Sequence, residues 1–514
     1  MTAAGAVLGR LSDRVNPIVV KELRQAVRSR IVTGVFLFFL VVQLAIVALA
    51  LLLGDSAGES LSAGRGLAAA LYSFMMFVCI IFLPVYSGLR LAWERSDTRR
   101  DLMFATAISA GAVVRGKMLT AAMIVALIYS ACAPFMVFTY LLRGIDLPTI
   151  FTMLGLGALY ILASVQFILF LACIPTSRVA KILLGLAGLA VILWTSGSAA
   201  ITTSMMLAGP MFFFGAPAAG SIWTPLVWGI IALVLAMGYL HVASVSILQP
   251  PSANRMLMVR IYVTAVWLVG GAVAVGWSYV TRSTIAVGIW AWGSTFFFAA
   301  SLLVGVSERQ TWGPRVRRRI PRFLPARGLA LLFFSGAAGG VLWAMLALAL
   351  TWLTLWVMMR LIVLSHALPA PSQVPEEVIP GLAGVACYAV AYTLTAGLLR
   401  RGIVRLGARF PHYYTWVLAL ALAALGSSVP LLLLLVLAYG SDNLWSLMEG
   451  DSPLTFLNPV YLGEESGRAA RIAFVGLWAA GVTAASIPWF IRQIRAFRPL
   501  RPQPGPMPDG APHG

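Results

Sequence analysis

Apolar residues run along this chain in blocks of bilayer length, separated by short polar or basic stretches. At about 20 residues per crossing, the blocks fall near 31–53, 67–91, 117–142, 150–174, 181–207 and 223–248. Six more follow near 259–280, 284–307, 328–360, 379–399, 413–440 and 471–491. The runs are continuous rather than alternating, which predicts helices and not a β-barrel. The block near 328–360 is too long for a perpendicular crossing and is expected to tilt or to extend past the interface. Gly426 and Pro430 mark a point where the eleventh helix is expected to break. One stretch before the first block has a different pattern. In Asn16–Arg30, NPIVVKELRQAVRSR, Asn16 suits a helix N-cap and Pro17 the first helical position. Ile18/Val19, Leu23 and Val27 fall on one side, with Lys21, Arg24 and Arg28 on the other. A basic amphipathic helix abutting a membrane span is expected to lie in the cytoplasmic headgroup layer.

The expected fold is an all-α polytopic membrane protein of about 12 transmembrane helices. Composition agrees, since hydrophobic residues make up 60% and charged residues 11% of the 514, far from soluble averages. The length alone would suit several soluble domains, but the apolar runs overrule that prior. The first run is too long for a cleavable signal, and no small-residue cleavage site follows it. A net charge of +20 raises the question of nucleic acid. The distribution of the charges argues against such a partner. About thirty of the 37 Lys and Arg lie on one side in alternate loops. The opposite loops hold Arg65, Arg143, Arg282, Arg468 and Arg471. The positive-inside rule then places both termini in the cytoplasm, and the basic excess faces lipid headgroups.

The spans divide into two six-helix halves, 31–248 and 259–491, joined by a linker at 249–258. Residues 1–30 form the cytoplasmic N-terminus with its elbow helix, and 492–514 a Pro/Gly-rich cytoplasmic tail expected to be disordered. In each half the long inner loop follows the second span, Trp93–Gly116 and then Ser307–Arg327. The main outer excursion follows the fifth, Ser196–Trp223 and then Ser441–Ala470. The matching asymmetry suggests a diverged duplication, although no residue-level repeat accompanies it. Gly185/Gly188 and Gly336/Gly339/Gly340 are expected to let helices pack closely.

Candidate chemistry is sparse. No Asp or Glu falls inside an expected span, whereas proton- and sodium-coupled carriers need a buried carboxylate to hold the ion. Any transport must therefore draw its energy from elsewhere. Gly111-x4-Gly116-Lys117 is one residue short of a phosphate-binding loop, and Met118 follows where Ser or Thr is needed. Cys79, Cys132, Cys173 and Cys387 lie within spans with no CxxC spacing, so neither disulfides nor a metal site is expected. His241, Gln43 and Gln166 suit interhelical hydrogen bonding. The outer carboxylates Asp442, Glu449, Asp451, Glu464 and Glu465 have no nucleophile–His pairing or HExxH beside them. No catalytic residue and no cofactor is expected.

Two segments taken together resemble a known family. The first is the NPxxxKELRQxxRSR elbow, with Asn16, Pro17, Lys21, Glu22, Leu23, Arg24, Gln25, Arg28 and Arg30. The second is an inner loop with Glu94, Arg95, Asp101, Leu102, Thr106, Ser109, Gly116 and Lys117, followed by Pro134–Phe135 and Arg143–Gly144. In order and spacing these resemble ATP-binding-cassette (ABC) export permeases of the second type, over about residues 16–250. The resemblance implies a permease subunit in a bacterial inner (plasma) membrane, with its ATPase a separate cytosolic polypeptide. It also implies that the elbow and the Glu94–Lys117 loop, with Phe104 in its apolar patch, contact that ATPase. The second half departs from the pattern. No KELRQ elbow precedes its first span, and its inner loop SERQTWGPRVRRRIPRFLPARG carries arginines and prolines instead. Either that half completes one pore or it is an accessory bundle and two permease chains pair. A membrane-embedded enzyme and a non-transporting assembly or signalling subunit remain open as alternative readings.

Overall fold

The computed structural model describes residues 17–53, 60–94, 109–142, 145–208, 219–250, 252–364, 378–407, 409–437 and 465–500, with only the backbone described at several helix ends. Among these residues every regular element is helical, and eleven helices are long and apolar enough to cross a membrane. Helices suit the solvent, because a bilayer core offers no partner for a backbone N–H or C=O left unpaired. Leu52 at 79% exposure, Trp194 at 81% and Val280 at 80% point out of the bundles. Side chains of that size, exposed so extensively, belong against lipid.

The chain divides into two units, Met1–Pro250 and Pro251–Gly514. The first holds α1 (Pro17–Val27), α2 (Arg30–Leu53), α3 (Ser60–Glu94), α4 (Ala110–Leu141), α5 (Leu147–Cys173), α6 (Arg178–Ala208) and α7 (Ala219–Leu248). Its core lies where α3, α4 and α5 meet, around Leu71, Met75, Cys79, Leu83, Ile128 and Leu169. Local chemistry sets the helix starts. Ser109 caps α4 by accepting from the Ala112 N–H at 3.2 Å, and Asp146 caps α5 through Thr149. Gln43 is fully buried and donates from Nε2 to the Leu71 carbonyl at 3.1 Å, tying α2 to α3. Gln166 on α5 reaches Ser244 on α7 at 3.3 Å. Both glutamines make the interhelical bonds that their sequence positions suggest.

The second unit holds α8 (Leu257–Thr281), α9 (Ile285–Val306), α10 (Pro314–Arg317), α11 (Leu324–Phe333), α12 (Ala337–Leu364), α13 (Val378–Arg405), a 3-10 turn at His412–Tyr414, α14 (Thr415–Leu437) and α15 (Glu465–Ala496). Here α9 is central, packing on α8, α12, α13 and α14. Aromatic residues lock it in place. Trp267 stacks on Trp290 at 5.9 Å, and Phe298 meets Trp343 edge-on at 5.2 Å. At its lower end Gly305 faces Gly340 of α12 so closely that a Cβ on Gly305 would lie 3.0 Å from the Gly340 carbonyl carbon.

Three expectations need correction. The block at 328–360 is not one tilted span: it is cut at Ser335–Gly336 into α11 and α12. Distant partners hold the cut open. Asn254 Oδ1 accepts from both the N–H and the hydroxyl of Ser335, each at 2.8 Å, and Glu308 accepts from the Gly336 N–H at 2.6 Å. Second, α14 runs unbroken through Gly426 and Pro430. Gly426 is there for packing, since a Cβ would collide with the Tyr392 hydroxyl. Third, Gly185 has open space around it, so of that pair only Gly188, against Leu171 and Ile168, makes a close contact. The segment near 413–440 forms α14 but is not among the eleven crossing candidates, its described apolar stretch being His412–Gly426.

Candidate functional site

Helix α1 has three faces rather than two. Val19, Glu22 and Ala26, at positions i, i+3 and i+7, are buried at 1%, 5% and 1% exposure. One hundred degrees round, Val20 and Val27 are exposed and Leu23 half-buried; a further hundred degrees round, Lys21, Arg24 and Arg28 are exposed. The buried face packs on α4. Its apolar neighbour and its basic neighbour stay open, one suited to lipid and the other to headgroups and water. The helix ends at a tight joint, where Ser29 N–H bonds to the Ala26 carbonyl at 3.0 Å before α2 begins at Arg30.

Glu22 is an acidic residue on the face that meets the bundle. Its Oε1 accepts from Lys117 Nζ at 3.0 Å, across 95 residues of chain, and the two side chains are 6% and 4% exposed. Arg90, near the end of α3, approaches the other carboxylate oxygen at 3.8 Å. The same arginine donates to the Tyr86 hydroxyl at 2.7 Å and to Gln25 Oε1 on α1. Three helices are thereby joined by one charged network whose centre, Glu22–Lys117, is buried and whose edge at Arg90 and Gln25 reaches water. Burying these charges is unfavourable unless they remain paired, so the network fixes the position of α1.

The expected site residues divide in consequence. Glu22, Gln25 and Lys117 are brought together, and Gly116 is buried beside them in α4. Lys21, Arg24 and Arg28 stand on the open face of α1. Ser109 serves α4 as its cap, and Glu94 ends α3. Asn16, Arg95, Asp101, Leu102, Phe104 and Thr106 lie outside the described residues, as do Asp442, Glu449, Asp451 and Glu464; Pro17 opens α1. Gly111–Lys117 is helical throughout and not a loop between a strand and a helix, so it does not have the form of a phosphate-binding loop. Arg90 and Tyr86 were not among the expected site residues. The available signal was the placement of Arg90 at the end of a span, where an unpaired charge needs a partner.

The second unit has its own buried pair at the end of α9. Arg260 of α8, 3% exposed, binds Glu308 and donates to the carbonyls of Leu332 and Phe334 at 2.9 and 2.6 Å. Glu308 also receives the Gly336 N–H, so this pair pins the α11–α12 joint to α8 and α9. Phe497, beyond α15, fits under the same loop against Trp312 and Phe334. Among the described residues no group of three or more His, Cys, Asp or Glu could hold a metal. No protein-family model, no characterised protein and no solved structure matches this chain.

Proposed function

We propose that the chain is the membrane-spanning permease subunit of an ATP-driven exporter, of the second ABC permease type, working with a separate cytosolic ATPase. The observation that supports this reading best is the Glu22–Lys117 pair. It joins the two segments, elbow and inner loop, that the family resemblance assigns to the motor. Residues 95–108 connect the ends of α3 and α4 that carry Arg90 and Lys117. A partner that displaces that connection acts on both helices, and through Glu22 on α1. Closure of a nucleotide-binding subunit that grips it differently with and without ATP would bias the spans between two arrangements. The carboxylate-free expected spans support the same reading, because ion-coupled carriers hold their ion with a carboxylate inside a span. The charge distribution supports a cytoplasmic position for this surface, with both termini on that side of a plasma membrane.

Purification from native membranes in mild detergent tests the proposal. A distinct ATPase polypeptide is expected to co-purify, and deletion of Arg99–Ser109 is expected to abolish stimulation of its activity while the chain still inserts. Transport in vesicles by the intact chain without any ATPase would overturn it.

A further inference from the structure

We propose that the basic cluster where α13 packs on α15 in the second unit, with His412 within electrostatic range, binds the phosphate of an anionic glycerophospholipid. Arg400, Arg401 and Arg405 occupy the last turns of α13, Arg492 lies on α15, and His412 opens the turn before α14. Arg401 lies over the Trp489 ring, 4.6 Å from guanidinium carbon to ring centre, and its Nη2 reaches Ser486 Oγ at 3.5 Å. It is within electrostatic range of Arg492, Arg400 and Arg405, and His412 is within range of Arg400 and Arg309. Like charges gathered this way repel, and among the described residues no carboxylate stands between them. Glu308 is engaged by Arg260 and Gly336.

The polar atoms of the cluster are also incompletely satisfied. Arg400 Nε and Trp489 Nε1 are buried donors with no protein acceptor, Trp489 being 7% exposed. Buried polar atoms in that state are rare and call for a partner. Complementing the dipole at the C-terminus of α13 accounts for one or two arginines there, but not for orphaned donors on two helices. A phosphate accepts from guanidinium forks and from an indole N–H together. The surroundings favour a lipid over a free anion. Val404 at 46% exposure, Leu406 at 88%, Ile491 at 42% and Ile494 at 47% give acyl chains an apolar surface beside the cluster.

The full chain, purified in detergent and stripped of lipid, is titrated with phosphatidylglycerol, phosphatidylcholine or inorganic phosphate. Bound lipid is read by native mass spectrometry and stability by melting temperature. Phosphatidylglycerol is expected to be retained and to raise the melting temperature, with phosphatidylcholine and phosphate doing neither. Arg400→Gln with Arg401→Gln is expected to weaken phosphatidylglycerol retention by about tenfold or more, and Trp489→Phe, which keeps the ring and removes the donor, by roughly threefold. If the double variant does not fold, Trp489→Phe decides. Unchanged retention by the variants, or equal retention of phosphatidylcholine, overturns the site. Stabilisation by inorganic phosphate equal to that by phosphatidylglycerol overturns the lipid.

Discussion

Replacing Glu22 with glutamine keeps the shape of the α1–α4 contact and removes its charge, leaving Lys117 buried at 4% exposure with Arg90 nearby as a like charge. At 3.0 Å the Glu22–Lys117 attraction is on the order of 5 kcal/mol gross for an effective dielectric of about 20. Most of that is offset by desolvation, and removing one partner of a buried pair typically costs about 3–5 kcal/mol. We take about 3 kcal/mol, because Arg90 is 22% exposed and can turn toward water. The loss should be local, since Glu22 contributes to seating α1 and not to the core around Leu71 and Leu169. About 3 kcal/mol corresponds to a roughly hundredfold loss of protection. Hydrogen exchange of the amides of residues 17–28, in detergent or nanodiscs, reads this directly. The double variant Glu22→Leu/Lys117→Met should recover most of the protection, because paired burial is replaced by apolar burial. A change below roughly threefold for Glu22→Gln would match an exposed salt bridge and would refute the reasoning.

Gly305→Val should lower the melting temperature by an amount equivalent to about 1–3 kcal/mol, since its Cβ would press on the α12 backbone, which cannot turn aside. Ser109→Ala removes the α4 cap and should cost about 1 kcal/mol in denaturant titration, with Ser109→Asp close to wild type. Burial, helped by Arg400 and Arg309, holds the His412 imidazole below its ordinary 6.5. The unfolded chain therefore takes up that proton first as pH falls. The stability His412 supplies is present above about 6.5 and is lost as pH drops through its lowered folded value. His412→Asn should flatten that part of a melting-temperature series in lipid-free detergent, and an unchanged acid slope would count against it.

The spans were legible because a bilayer demands uninterrupted apolar helix, and a run of about 20 such residues has few other uses. What escaped the sequence depends on partners far along the chain. Nothing in the apolar run around Ser335 announces a cut; Asn254, Arg260 and Glu308 make it, and they lie many residues upstream. Gly426 read as a weak point, whereas its missing side chain leaves room for Tyr392. The elbow was legible as a helix with a basic stripe, but two-sided reasoning gave Glu22 no special place. Its burial follows from Lys117, which the sequence offered as the end of an inner loop and not as a partner of Glu22. Proximity of Arg400, Arg401 and Arg492 likewise required two helices to be seen side by side.

The contact between Gly305 and Gly340 sets how the second unit can change shape. Side chains that interlock can re-sort their rotamers and let helices slide by a turn; two bare backbones have nothing to re-sort. Translation there drives the neighbouring residues of α9 and α12 into each other, while a scissoring motion keeps the two glycines in touch. The Arg260–Glu308 pair fastens the same point from the side. Any relative motion of α9 and α12 would therefore pivot at that end of α9, with their far ends as the arms.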